Sequence, residues 1–74
     1  MSRPKKHSLT LNGHRTSVSL EDEFWEEFRK ISKLKSMPIN DLAAKIDASR
    51  DPDTGLASEI RLFVLRSFTR GLEP

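Results

Sequence analysis

Ser8 to Leu20 reads S-L-T-L-N-G-H-R-T-S-V-S-L, and the fold turns on how this stretch is read. From Thr16 onward the residues are β-prone and alternate with period two, then give way to an amphipathic helix pattern. In a strand, successive side chains leave on opposite faces. Thr16, Val18 and Leu20 therefore share one face, and Arg15, Ser17 and Ser19 share the other. The first face can close a core. The second offers a guanidinium and two short hydroxyls, groups that hydrogen-bond to base edges and phosphates.

Asn12-Gly13 is a strong signal for a type I′ hairpin turn, in which both central residues take positive φ. Folding there sets Leu11 opposite His14, Thr10 opposite Arg15, Leu9 opposite Thr16 and Ser8 opposite Ser17. Leu9 then joins the apolar face, and Ser8 and Thr10 join the polar one. The same residues also fit a basic arm running from Met1 to Gly13, and both readings stand at this point.

Seventy-four residues without cysteine make one domain at most, with no disulfide and no cysteine-based zinc site. A chain this short buries only about 60% of its unfolded surface, so sharing a core with a second copy is expected. No apolar run approaches the roughly 20 residues needed to span a bilayer. The opening M-S-R-P-K-K-H lacks the apolar centre of a secretory signal, which makes the cytoplasm the expected location. The net charge of +2 is divided unevenly: residues 1–16 carry +4 and no acid, and the remainder carries −2. Such asymmetry suits a patch that meets nucleic acid. It also suits a merely solubilising tail.

After Leu20, the residues Phe24, Trp25, Phe28, Ile31 and Leu34 form one apolar stripe at helical spacing. Acids crowd the start and bases the end, complementing the helix dipole, so the spacing predicts a helix over Glu21–Lys35. Pro38 fits the first turn of a second helix, predicted over Ile39–Asp47. Ala48–Gly55 reads as a loop. A third helix is predicted over Leu56–Thr69, capped by Asp53 or Thr54 and ended by Gly71. Its apolar residues nearly surround it, which points to burial against another copy. No internal repeat is evident.

Enzyme chemistry is not expected. His7 and His14 have no carboxylate or cysteine at ligand spacing, and each reads as a polar surface residue. No serine has a paired base, and there is no glycine-rich phosphate loop. No metal, cofactor or small-molecule ligand is implied.

The residues R-T-S-V-S-L at Arg15–Leu20, then E-x-x-F-W-x-x-F-x-x-I at Glu21–Ile31, resemble a ribbon-helix-helix DNA-binding protein. S-E-I-R-L-F-V-L-R-S-F at Ser58–Phe68 is similar to the second helix of such proteins. The chain looks most like a small single-domain bacterial group whose opening contains L-x-G-x-R-T-S-V-x-L-E-x-x-F-W. The resemblance implies a mainly α fold with a short β-strand, assembled as an intertwined homodimer whose paired strands enter the major groove. It places Arg15, Ser17 and Ser19 at base edges, Val18 and Leu20 in the core, and a phosphate at the start of the second helix. Phosphate contacts are expected of the basic residues Arg3, Lys5 and Lys6, and of Ser8, Thr10 and Asn40. Val18, Leu20, Phe24, Trp25, Phe28, Ile31, Ile60, Phe63 and Val64 would form the dimer core. The domain is expected over residues 8–70, after a basic arm at 1–7 and before a short tail at 71–74. Pro38 to Gly55 departs from the pattern and reads as an inserted helix and loop. The phosphate-binding helix start could then be Pro38–Asn40 or Leu56–Ser58, with spacing favouring the Met37–Asn40 region.

The expected function is sequence-specific binding of double-stranded DNA by a nucleoid-associated transcriptional repressor. The alternatives are a helical protein-interaction adaptor and an antitoxin-like partner-binding protein, for which little C-terminal tail remains.

Overall fold

A computed structural model of the chain describes residues 2–72. Two strands, β1 (Lys5–Leu11) and β2 (His14–Leu20), are followed by three helices, α1 (Asp22–Leu34), α2 (Ile39–Ala48) and α3 (Leu56–Leu72). The strands form one antiparallel hairpin, which decides between hairpin and free arm. Asn12 and Gly13 take φ of 52° and 84°, the positive pair a type I′ turn demands. The register is the one the turn predicts, from Leu11↔His14 through Ser8↔Ser17 to Lys5↔Leu20. The expected arm of residues 1–7 is therefore shorter, because Lys5–His7 already belong to β1.

Set side by side from their N-termini, the two strands carry a repeat that is not evident along the linear sequence. K-K-H-S-L-T-L in β1 and H-R-T-S-V-S-L in β2 match in chemistry at all positions but the first and third, where Lys5 stands against His14 and His7 against Thr16. A cation, a serine and a hydroxyl recur on the outward face, and two aliphatic residues recur on the inward one. Only Ser8/Ser17 and Leu11/Leu20 are identical, so the likeness is one of pattern.

The inward face of the hairpin lies on the helices. Leu9, Leu11, Val18 and Leu20 join Phe28, Leu42, Ala43, Ile46, Ile60 and Val64 in one buried core. Phe28, Leu20 and Ile60 are its largest fully buried side chains. Of the residues expected at a dimer interface, Val18, Leu20, Phe28, Ile60 and Val64 are buried within the single chain, and Phe24, Trp25, Ile31 and Phe63 pack against them. Phe28 meets Phe63 edge-on, with ring centroids 6.1 Å apart.

The helix ends differ in how they close. At the end of α1, Ser36 takes a left-handed φ of 53°. The Met37 N–H reaches the Ser32 carbonyl at 2.9 Å and the Ser36 N–H reaches that of Lys33 at 3.0 Å, the double bond of a Schellman cap. At the start of α3, the Glu59 N–H bonds to the Gly55 carbonyl, which puts Gly55 at the cap instead of Asp53 or Thr54. Asp51 Oδ1 instead accepts from the Asp53 N–H, and Arg50 donates to Asp47 and to the Thr54 carbonyl. That network shapes the loop before the helix starts. α3 also continues through Gly71 to Leu72, since a glycine in a final turn weakens a helix by only about 1 kcal/mol. The expected tail at 71–74 thus begins inside α3, and residues 73–74 lie outside the described residues.

Candidate nucleic-acid interface

Period two, the turn and the core together fix which hairpin side chains face outward. Lys6, Ser8 and Thr10 from β1 stand across from Ser19, Ser17 and Arg15 of β2, and all six are exposed. Between Lys5 and Leu20 there is no carboxylate. The result is a two-stranded face carrying two cations and four hydroxyls.

Helices hold both edges of this ribbon. In an antiparallel pair, every second residue turns its backbone groups away from the partner strand. Thr10 is such a residue, and its N–H donates to Asn40 Oδ1 at 3.1 Å. Ser19 is its counterpart on β2, and its carbonyl accepts from Arg61 Nη2 at 3.2 Å. Arg61 also grips Glu21, from Nε to Oε1 at 2.9 Å and from Nη2 to Oε2 at 3.2 Å. Those bonds, with one from Glu21's own backbone N–H, hold the carboxyl below the usual carboxylate range. The guanidinium lies 5.9 Å from the centre of the Phe24 ring. One side chain thereby ties α3 to the end of β2 and the start of α1.

The expected phosphate-contact residues occupy different settings. Arg3 and Lys6 are exposed, the latter on the outward face. Lys5 projects on the opposite face and pairs with Asp22 at 3.1 Å. Ser2 donates its hydroxyl to Glu23, a bond that, with Glu23's own backbone N–H, lowers the Glu23 pKa. The N-terminal segment is thus moored to the first turn of α1. Ser8 and Thr10 sit among the base-facing candidates rather than beside them. Asn40 is the second residue of α2, a helix whose N-cap, Pro38, makes no side-chain cap bond.

His7 is not the surface residue expected. It is partly buried and stacks on Trp25, with ring centroids 4.0 Å apart and planes within 9°. Its Nε2 is enclosed without a hydrogen-bond partner among the described residues. Counting by twos from Leu9 puts it on the inward face, and that was the available signal. No group of three or more potential metal-ligating side chains occurs among the described residues, and none of their helices is long and apolar enough to cross a membrane.

Residues 4–68 match the family model of the ribbon-helix-helix domain. The chain belongs to the ribbon-helix-helix family. This is a non-enzymatic family of DNA-binding transcription regulators, and its members are usually dimers. The match takes in the whole hairpin, all of α2 and its loop, and α3 as far as Phe68. No curated protein and no solved structure gives a significant match to this ribbon-helix-helix chain.

Proposed function

We propose that this protein is a sequence-specific double-stranded DNA-binding repressor that acts in the nucleoid as a homodimer. The observation that carries the reading is the outward face of the hairpin, acid-free and lined by Lys6, Arg15 and four hydroxyl side chains. A two-stranded ribbon fits the major groove, which is about 12 Å wide, and an arginine there can bond a guanine through two acceptors. Arg15, Ser17 and Ser19 contact base edges. Arg3 and Lys6 add phosphate attraction. Asn40 borders the ribbon at the free N-terminal end of α2, where unpaired N–H groups and the helix dipole favour a phosphate.

A dimer is supported by an apolar surface left on the helices. Leu34 is 85% exposed, Leu65 56% and Phe68 51%. Leu34 and Phe68 line one groove between α1 and α3 together with Ile31. A repressor works by occupying its site, which needs no chemistry beyond binding.

Duplex binding measured against salt tests the proposal. Phosphate contacts release counterions, so log affinity should fall linearly with log salt, by about 0.9 per contact. A helical adaptor with a solubilising tail gives no such slope and no retention on heparin.

A further inference from the structure

Away from the hairpin, the three helices enclose a groove of about 390 Å³ that the proposed duplex contacts do not use. Its floor is made by Met37, Leu42, Ile46 and Phe63. Leu42 and Ile46 belong to the buried core, and Met37 and Phe63 pack against it. The floor is thus built by the packing that folds the chain.

The rim is cationic. Lys35 is the residue that closes α1, and Lys45 stands in the last turn of α2. Both line the groove and both are exposed. Neither forms an ion pair among the described residues. Asp47, close to Lys45 in sequence, is engaged by Arg50 at 3.0 Å. Ser49 also lines the groove, but its hydroxyl turns back to the carbonyls of Lys45 and Ile46, each at 3.3 Å. No carboxylate lines the groove. An acid-free apolar trough with two unpaired ammonium groups is complementary to one negative charge carried on an apolar body. Lysines are point charges on flexible stems, so they suit a compact anionic head without demanding one fixed geometry. The volume falls in the range of small-molecule sites, roughly 300–1,000 Å³, and such sites often lie between helices.

We propose that this groove binds a small anionic amphiphile, its apolar body against Met37, Leu42, Ile46 and Phe63 and its carboxylate between Lys35 and Lys45. Nothing in the site depends on the DNA-binding reading above, and either can fail without the other. The competing role for the two lysines is to complement the dipoles at the ends of α1 and α2. That role alone would leave the groove indifferent to a ligand's charge.

The test titrates the full chain with decanoate, and with decanol as the same apolar body without the charge, by calorimetry. Binding is followed in parallel through the methyl signal of Met37, one of the chain's two methionines. Decanoate is expected to saturate, to move the Met37 signal and to bind more tightly than decanol. Lys35→Ala and Lys45→Ala should each weaken decanoate about two- to fivefold, the scale of one exposed ion pair, and leave decanol unchanged. The losses should multiply in the double variant, because the lysines reach the ligand from separate helices. Met37→Ala should weaken both ligands alike. Both lysines are exposed and unpaired, so the lysine variants should melt close to the parent.

Equal affinity for decanoate and decanol would leave the lysines to the helix ends and overturn the proposal. So would decanoate affinity unchanged in the double lysine variant, a Met37 signal unmoved at saturation, or no saturable binding. Decanoate affinity that falls as the protein self-associates would assign the groove to contact between copies, and would overturn it equally.

Discussion

Glu21 and Arg61, 40 residues apart in the chain, share a two-point contact in which Nε and Nη2 of the guanidinium donate to the two carboxylate oxygens. Fork-to-fork pairing of this kind fixes orientation as well as distance. Lysine is a point charge and cannot reproduce it, so Arg61→Lys is expected to lower the melting temperature nearly as much as Arg61→Ala. A lysine variant as stable as the parent would show that charge alone matters there.

The same contact sets a pH dependence. Arg61's side-chain hydrogen bonds, and then the backbone N–H of Glu21 itself, hold the Glu21 carboxyl down. The Ser2 hydroxyl and a backbone N–H do the same for Glu23. Folded-state values below the unfolded ones give a contribution that is fully present above the usual carboxylate range. It is lost as the pH falls through the depressed folded values. Thermal melts should therefore weaken on the acid side of that range, and Glu21→Gln should flatten this limb. An acid limb unchanged in Glu21→Gln would assign the loss to other carboxyls.

Backbone conformation gives a pair of opposite expectations. Ser36 holds a left-handed φ of 53° where glycine is the easy residue, and that conformation costs an ordinary residue about 1–2 kcal/mol. Ser36→Gly should recover about 1 kcal/mol, or about 4–8 °C in melting temperature for a domain of this size. Gly13→Ala should lose a similar amount. Nothing lies within 4 Å of a Cβ added there, but φ is +84°, so the cost is torsional. Equal melting temperatures for all three proteins would mean the turn and the cap relax freely.

The hairpin and the first helix show what the sequence carries in legible form. Asn12-Gly13 and the alternation around it specify turn, register and faces, because each depends only on neighbours. The helical stripe around Phe28 likewise gives α1 to within a residue at each end. Contacts joining distant segments have no such local sign: nothing near Glu21 announces Arg61, and nothing near Thr10 announces Asn40. The cap of α3 falls at Gly55 rather than at Asp53 or Thr54 because Asp51 organises the loop through a side-chain bond. The strand repeat is hidden in the linear sequence because it conserves chemistry at alternate positions and identity at only two of seven. Paired strands make it visible.

Two phenylalanines separate folding from association. Phe28 is fully buried against Trp25 and Phe63, and Phe28→Ala should cost about 3–5 kcal/mol. That is much of the roughly 5–15 kcal/mol that holds a domain folded. Phe68, half exposed on α3, should contribute little within the chain. Phe68→Ala is expected to leave the urea midpoint of dilute protein nearly unchanged while shifting sedimentation toward monomer. If Phe68→Ala leaves self-association untouched, the apolar surface of α1 and α3 is not where copies meet.

Arg15 and Val18 test the two faces of β2 against each other. Arg15 is exposed and Val18 is 4% exposed within the core, three residues apart on one strand. Arg15→Ala removes a side chain that packs against nothing in the core, so thermal stability should hardly move. Affinity for the selected duplex should fall by about 1–3 kcal/mol, the worth of one good base contact, and affinity for random duplex should fall far less. Val18→Ser places a hydroxyl in the buried core that Val18 shares with Leu9, Leu20 and Ile60, where burying it without a partner costs about 1–3 kcal/mol, with lost apolar contact in addition. That variant should melt early and, at temperatures where it remains folded, should prefer the same duplex as the parent. Affinity lost without stability in one variant, and stability lost without a change of preference in the other, is the expected pattern. The reverse pattern would mean that β2 turns its serines inward, and the reading face would then be the wrong side of the hairpin.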